Sequence, residues 1–200
     1  MKATGSSTER TIWNYFCCKG FSPAGVAGLM GNLYAESGLN PINLQNTYEK
    51  RLGLTDAKYT AAVDSGSYSN FVRDSAGYGL AQWTYWSRKE AMLNYARKTG
   101  ASIGDLMMQL DFMFRELKGH VAVFQVLRTA RTVKEASDIV LTKYEHPADM
   151  SNAVKVKRAS FGQAYYDAYA NTTTTPEKEE ITVSLSLIHI SEPTRHAQIS

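Results

Sequence analysis

Glu36 is the residue of this chain best placed by its spacing to do chemistry. It closes the helical pattern of the stretch 22–41, SPAGVAGLMGNLYAESGLNP, where Ser37-Gly38 supplies a stop. At about 100° per residue it falls beside Leu29, on the flank of an apolar stripe of Val26, Leu29, Met30, Leu33 and Tyr34. A carboxyl half withdrawn from water favours its neutral form, and the negative end of a helix dipole pushes the same way. A general acid working near neutral pH needs that. The position suits a structural glutamate bonded to a neighbouring loop as well, so spacing alone leaves both roles open. Further along, Gly77-Tyr78-Gly79 leads into Leu80-Ala81-Gln82-Trp83. Glycines on both sides of a tyrosine allow unusual backbone conformations, or a polymer lying close against the chain. Gln82 can both donate and accept a hydrogen bond. Trp83, Tyr85 and Trp86 supply aromatic faces that serve a binding surface or a core equally well.

The elements that must position these residues are mostly helical. Ser22 is a good N-cap and Pro23 a good first residue of the stretch 22–41. Its second face carries Gly28, Gly31, Asn32 and Ala35. A glycine inside a helix costs about 1 kcal/mol relative to alanine, so close packing must offset two of them. A helix that is apolar or small all round is a buried, central one. Residues 8–19 form a first helix with Ile12, Trp13, Tyr15 and Phe16 on its apolar side. Residues 42–74 keep no helical period apart from a short helix around 56–63, and suit loops with a small antiparallel hairpin. A long irregular stretch within a domain is commonly functional, and here it would wall a cleft over Glu36.

From residue 87 onward the pattern is helical. Capping boxes or near relatives occur at Ser87–Glu90, Ser102–Asp105 and Thr132–Glu135. Ile103, Leu106, Met107, Leu110, Met113, Phe114 and Leu117 make a core-facing stripe. Helices over 121–130 and 133–144 follow, Pro147 stopping the second, and residues 151–170 form the last. Glu145, His146 and Asp149 suit a charged turn closing one rim of the cleft better than a polar site.

The pair of motifs GNLYAESGLNP and GYGLAQWTYWSRK, with KYEHPAD at 143–149, resembles the phage tail lysozyme family of the lysozyme-like superfamily. Soluble lytic transglycosylases are similar, with a glutamate-serine at a helix end and a later Gly-Leu-x-Gln segment. The resemblance covers residues 12–169. It implies a mainly α, α+β lysozyme-like fold: a central buried helix, an irregular wall with a small hairpin, and a helical second lobe. It also implies a glycan-strand hydrolase (a muramidase) acting on peptidoglycan, with Glu36 as the catalytic acid. Most glycosidases use a second carboxylate as nucleophile or as base for a water. Asp74, Asp64, Glu49 and Asp56 lie in the irregular wall, and Asp74 is favoured because it precedes the glycine-flanked segment. Ser37, Tyr78, Gly79, Gln82, Trp83 and Trp86 are the expected substrate-binding residues, Gln82 orienting a sugar N-acetyl group or a water. A lytic transglycosylase, which needs one glutamate alone and yields anhydro products, fits the same motifs. A non-catalytic wall-binding or structural tail module is the rival from another class.

The gross numbers bound the rest. Two hundred residues allow one ordinary domain and a tail. A net charge of +3 suits an anionic polymer such as a cell wall. There is no basic run with interleaved aromatics, so nucleic acid is not an expected partner. Adjacent Cys17 and Cys18 make no disulfide framework, and the four histidines have no metal-ligand spacing. No metal and no cofactor is expected, and a zinc peptidase lacks its HExxH. No apolar run spans a membrane and MKATGSSTER has no signal-peptide core; the family resemblance implies a phage tail tip or an endolysin as the setting, with delivery that needs no signal peptide. Residues 1–170 are read as the catalytic domain and 171–184 (NTTTTPEKEEITVS) as a linker. Residues 185–200 resemble a translated sequencing adapter, which would put the natural continuation of the protein after 184.

Overall fold

The computed structural model describes residues 6–145 and 147–171; the expected linker after 171 and the tail 185–200 lie outside the described residues. Helix α1 (Ser7–Cys18) opens with a capping box between Ser6 and Glu9. Helix α2 (Pro23–Ser37) is the central helix: every residue from Ala24 to Leu33 is buried. Ser22 caps it, its Oγ accepting from the Gly25 N–H at 3.0 Å, and Gly38 ends it with φ +61°. Two short helices follow, α3 (Asn46–Leu52) and α4 (Asp56–Asp64), then α5 (Trp86–Thr99), α6 (Leu106–Gly119) and α7 (Val121–Thr129). Last come α8 (Val133–Val140), a π-helix Leu141–Glu145, and α9 (Asn152–Tyr169). The fold is mainly α, as expected. No helix among the described residues is long and apolar enough to cross a membrane.

Helices α8 and α9 pack closely on α2, and its glycines are the reason they can. A Cβ on Gly28 would stand 2.6 Å from the Ala136 Cβ, and one on Gly31 2.4 Å from the Arg158 carbonyl oxygen. Both separations are far inside van der Waals contact, so the helix backbones themselves touch. Asn32 ties the three together: its Nδ2 donates to the Gly28 and Ser137 carbonyls, and its Oδ1 accepts from Arg158. Buried polar groups of this kind need such partners.

The irregular wall differs from its expected form in two ways. Helix α3 was not legible, because it buries none of its residues and has no side-chain cap. The hairpin is reduced, among the described residues, to isolated bridges pairing Tyr78 with Leu44 and with Trp83. Side chains take the backbone donors that a ladder would use. Asp56 accepts from the Leu44 N–H at 2.8 Å, and Gln45 Oε1 accepts from the Gly77 N–H at 3.1 Å.

The helical half follows its periodicity, with two local differences. Helix α5 starts at Trp86 behind Tyr85, without the capping box expected at Ser87. The helix expected over 133–144 widens into the π-helix from Leu141, which ends on Glu145. Single π turns inside helices often mark functional positions.

Candidate active site

The end of α2 opens into a cleft of about 750 Å³ lined by Glu36, Gln82, Tyr85, Arg88 and Glu145 among others. Glu36, Gln45 and Gln82 also border an adjoining hollow of about 380 Å³, reached past Asn43 and Asn46. On the other side, Thr84 and Tyr85 lead to a hollow of about 490 Å³ between Arg73 and Trp86. Together these make a groove with Glu36 at its middle.

Glu36 arrives there because the central helix is anchored along its whole length. Its carboxylate is 20 % exposed and lies 2.6 Å from the Arg158 guanidinium, which α9 supplies and Asn32 holds from behind. Opposite it, the segment Tyr78–Trp83 forms a tight loop, the Tyr78 and Trp83 backbones exchanging hydrogen bonds of 3.2 and 2.9 Å. Ser37 fastens this loop to α2 by donating from Oγ to the Leu80 carbonyl at 2.9 Å. Gln109 fastens the other side, its Oε1 accepting from the Leu80 N–H at 3.0 Å. Gly79, with φ +76°, has no room for a Cβ, which would come 2.8 Å from Gln109 Oε1. Gln82 adopts φ +44°, a left-handed conformation unusual for a residue with a side chain. Its Nε2 donates to Asn43 Oδ1 at 2.7 Å, which holds the side chain at the lip of the cleft. Strain kept in place by surrounding bonds is common at working sites.

Other residues singled out by sequence lie elsewhere. Asp74 does not line the groove. Its carboxylate, 2 % exposed, sits 2.6 Å from the Lys89 ammonium and also accepts from the Tyr59 and Tyr68 hydroxyls and the Ala76 N–H. All its lone pairs are used, which makes it the counter-ion of a buried lysine. Burial pulls the Lys89 pKa down while Asp74 opposes, and burial followed by the Asp74 bond pushes the Tyr59 hydroxyl up. Asp56 is spent on the Leu44 N–H and Asn40, and Asp64 on Ser102 and the Ile103 N–H. Glu49 sits on α3 and is absent from the groove's lining. Tyr78 and Trp83 are fully buried, so neither ring faces the cleft. Of the three aromatics proposed for stacking, Trp86 and Tyr85 are exposed, at 44 % and 63 %, and the Arg73 guanidinium lies 5.6 Å from the Trp86 ring centre.

The second carboxyl beside Glu36 is Glu145, at the end of the π-helix. Its Oε1 is out of solvent and has no hydrogen-bond partner among the described residues. Burial first, and the charge of Glu36 second, push its pKa up to about 8, against Arg88 and Arg158. Arg88 is itself fixed by Glu116 on α6, through bonds of 2.8 and 3.0 Å, and Glu116 also accepts from Trp83 Nε1 and the Tyr144 hydroxyl. His146 lies outside the described residues and Asp149 is exposed. Glu145, Arg158, Arg88 and Glu116 were missed as site residues. The KYEHPAD stretch was the one signal for Glu145, and nothing local distinguishes it from a charged turn. No three His, Cys, Asp or Glu side chains among the described residues come together as a metal site would need.

The chain is similar to known proteins over most of its described length. Residues 7–169 match the family model of the phage tail lysozyme. Over 158 residues the chain is 23 % identical to morphogenesis protein 1 of Bacillus phage B103, a match covering 75 % of this chain. The chain spans about a third of that relative's length, 36 %. With the match running from α1 to the end of α9, the chain belongs to the phage tail lysozyme family.

Proposed function

We propose that this domain hydrolyses the glycan strands of peptidoglycan, with Glu36 as the catalytic acid. The observation that carries the reading is the seat of Glu36. A carboxyl at the end of a buried helix lines both the central cleft of about 750 Å³ and the adjoining hollow of about 380 Å³, and Gln82 lines both with it. Glycosidic cleavage needs protonation of the leaving oxygen and support for an oxocarbenium-like transition state. Glu36 supplies the first. Gln82 is placed to orient a substrate amide or a water, and exposed Tyr85 and Trp86 offer faces for sugar rings. Asp74, closed in its ion pair, takes no part in this reading.

The setting we propose is a phage tail or an endolysin acting on a Gram-positive wall, in line with the family and the Bacillus phage relative. Lytic transglycosylation remains the second reading, since one glutamate suffices for it. A structural tail module is the third, which the morphogenesis relative keeps in view.

Glu36→Gln in the full chain tests the assignment. General acid catalysis contributes roughly 10²- to 10⁴-fold, so release of muropeptides from purified walls should fall by at least that lower figure. The far-ultraviolet circular dichroism should not change. Undiminished release by the variant would remove Glu36 from the mechanism.

A further inference from the structure

Resting on that reading, we infer that Glu145 is a second catalytic carboxyl, which shares a single proton with Glu36 and serves as the base for the attacking water. The two carboxyls line one cleft, brought there by different elements, α2 and the π-helix. Glu36 has a cation at 2.6 Å, whereas Glu145 Oε1 is buried without a hydrogen-bond partner among the described residues, a placement that costs a carboxylate far more than a neutral carboxyl. Two carboxyls in one site resist double ionisation, so near neutral pH the pair keeps one proton. In the free protein that proton belongs on Glu145, whose pKa is pushed up to about 8, while Glu36 lies against the Arg158 guanidinium.

The groups facing Glu145 make the sharing reversible. They are Glu36 from α2, Arg88 from α5, Glu116 from α6 and Arg158 from α9. Once Glu36 takes the proton its charge no longer opposes ionisation of Glu145, while Arg88 and Arg158 still favour it. Glu36 is then the acid and Glu145 the base. The proton passes from Glu36 to the glycosidic oxygen as the C1–O bond breaks, and that oxygen keeps the bonding electron pair. Water adds to C1 through its oxygen, and the proton it sheds goes to Glu145. The pair ends with the one proton it began with. A base for water is needed by a hydrolase and not by a transglycosylase, so Glu145 favours the first outcome.

Two measurements on the full chain test this. Glu145→Gln keeps the size of the side chain and should lower muropeptide release about 100-fold or more. In carboxyl carbon NMR titrations, the Glu145 midpoint near pH 8 should fall by at least about one unit in Glu36→Gln, a tenfold change in proton affinity. Retention of release within threefold in Glu145→Gln would overturn the proposal, as would a Glu145 midpoint unmoved in Glu36→Gln. If the unaltered protein releases nothing from any wall, the glycosidase reading falls, and the titration still decides whether the two carboxyls share a proton.

Discussion

At the scale of single residues, three carboxyls stand in three environments. Glu36 is ion-paired at the cleft, Glu145 beside it has an Oε1 that is buried without a hydrogen-bond partner among the described residues, and Asp74 is saturated by a buried lysine. The position of Glu36 was legible by helical phase, because it is local: the last turn of an apolar helix. Asp74 misled for the same reason, being close in sequence to the glycine-flanked loop while its fate is decided by Lys89, Tyr59 and Tyr68 from other elements. Removing one member of a buried pair typically costs about 3–5 kcal/mol, so Asp74→Asn should lower stability to urea by about that much. Muropeptide release per folded molecule should stay unchanged. Normal stability with lost activity would return Asp74 to the catalytic machinery.

At the scale of elements, legibility follows burial. Helices with an apolar stripe and a polar cap were readable from sequence, as Ser22 before α2 and Thr132 before α8 illustrate. Helix α3, which buries nothing, was invisible, and the expected hairpin gave way to side chains that capture its backbone donors. The π-helix Leu141–Glu145 was not legible either, since its sequence LTKYE continues the helical pattern before it. The glycines of α2 were readable as a sign of close approach, though not the partners. Gly31→Ala gains about 1 kcal/mol of helix propensity but drives a Cβ into the Arg158 carbonyl and the Gly162 backbone. Overpacking of this kind costs typically 1–3 kcal/mol, so the melting temperature should fall, and displacement of α9 should loosen the Arg158–Glu36 pair and lower activity with it. A variant as stable and active as the parent would show that α9 can move without consequence.

At the scale of the whole molecule, the site writes itself into stability. A group whose pKa rises on folding binds its proton more tightly in the native state, so stability is lost as pH rises from the unfolded value through the folded one. The contribution of Glu145 is fully present below its ordinary value of 4.5 and is lost progressively as pH rises to about 8. Stability measured by urea titration should therefore fall across that window, and Glu145→Gln should flatten this part of the slope; an identical slope in the variant would place the proton elsewhere. The most direct test of the central claim is a digest of purified Gram-positive peptidoglycan by the full chain, with products read by mass spectrometry. Hydrolysis with Glu36 as the acid should give glycan fragments each heavier by one water at a reducing-end muramic acid, absent with Glu36→Gln. Anhydro-muramic products alone, or no release from any wall, would contradict it.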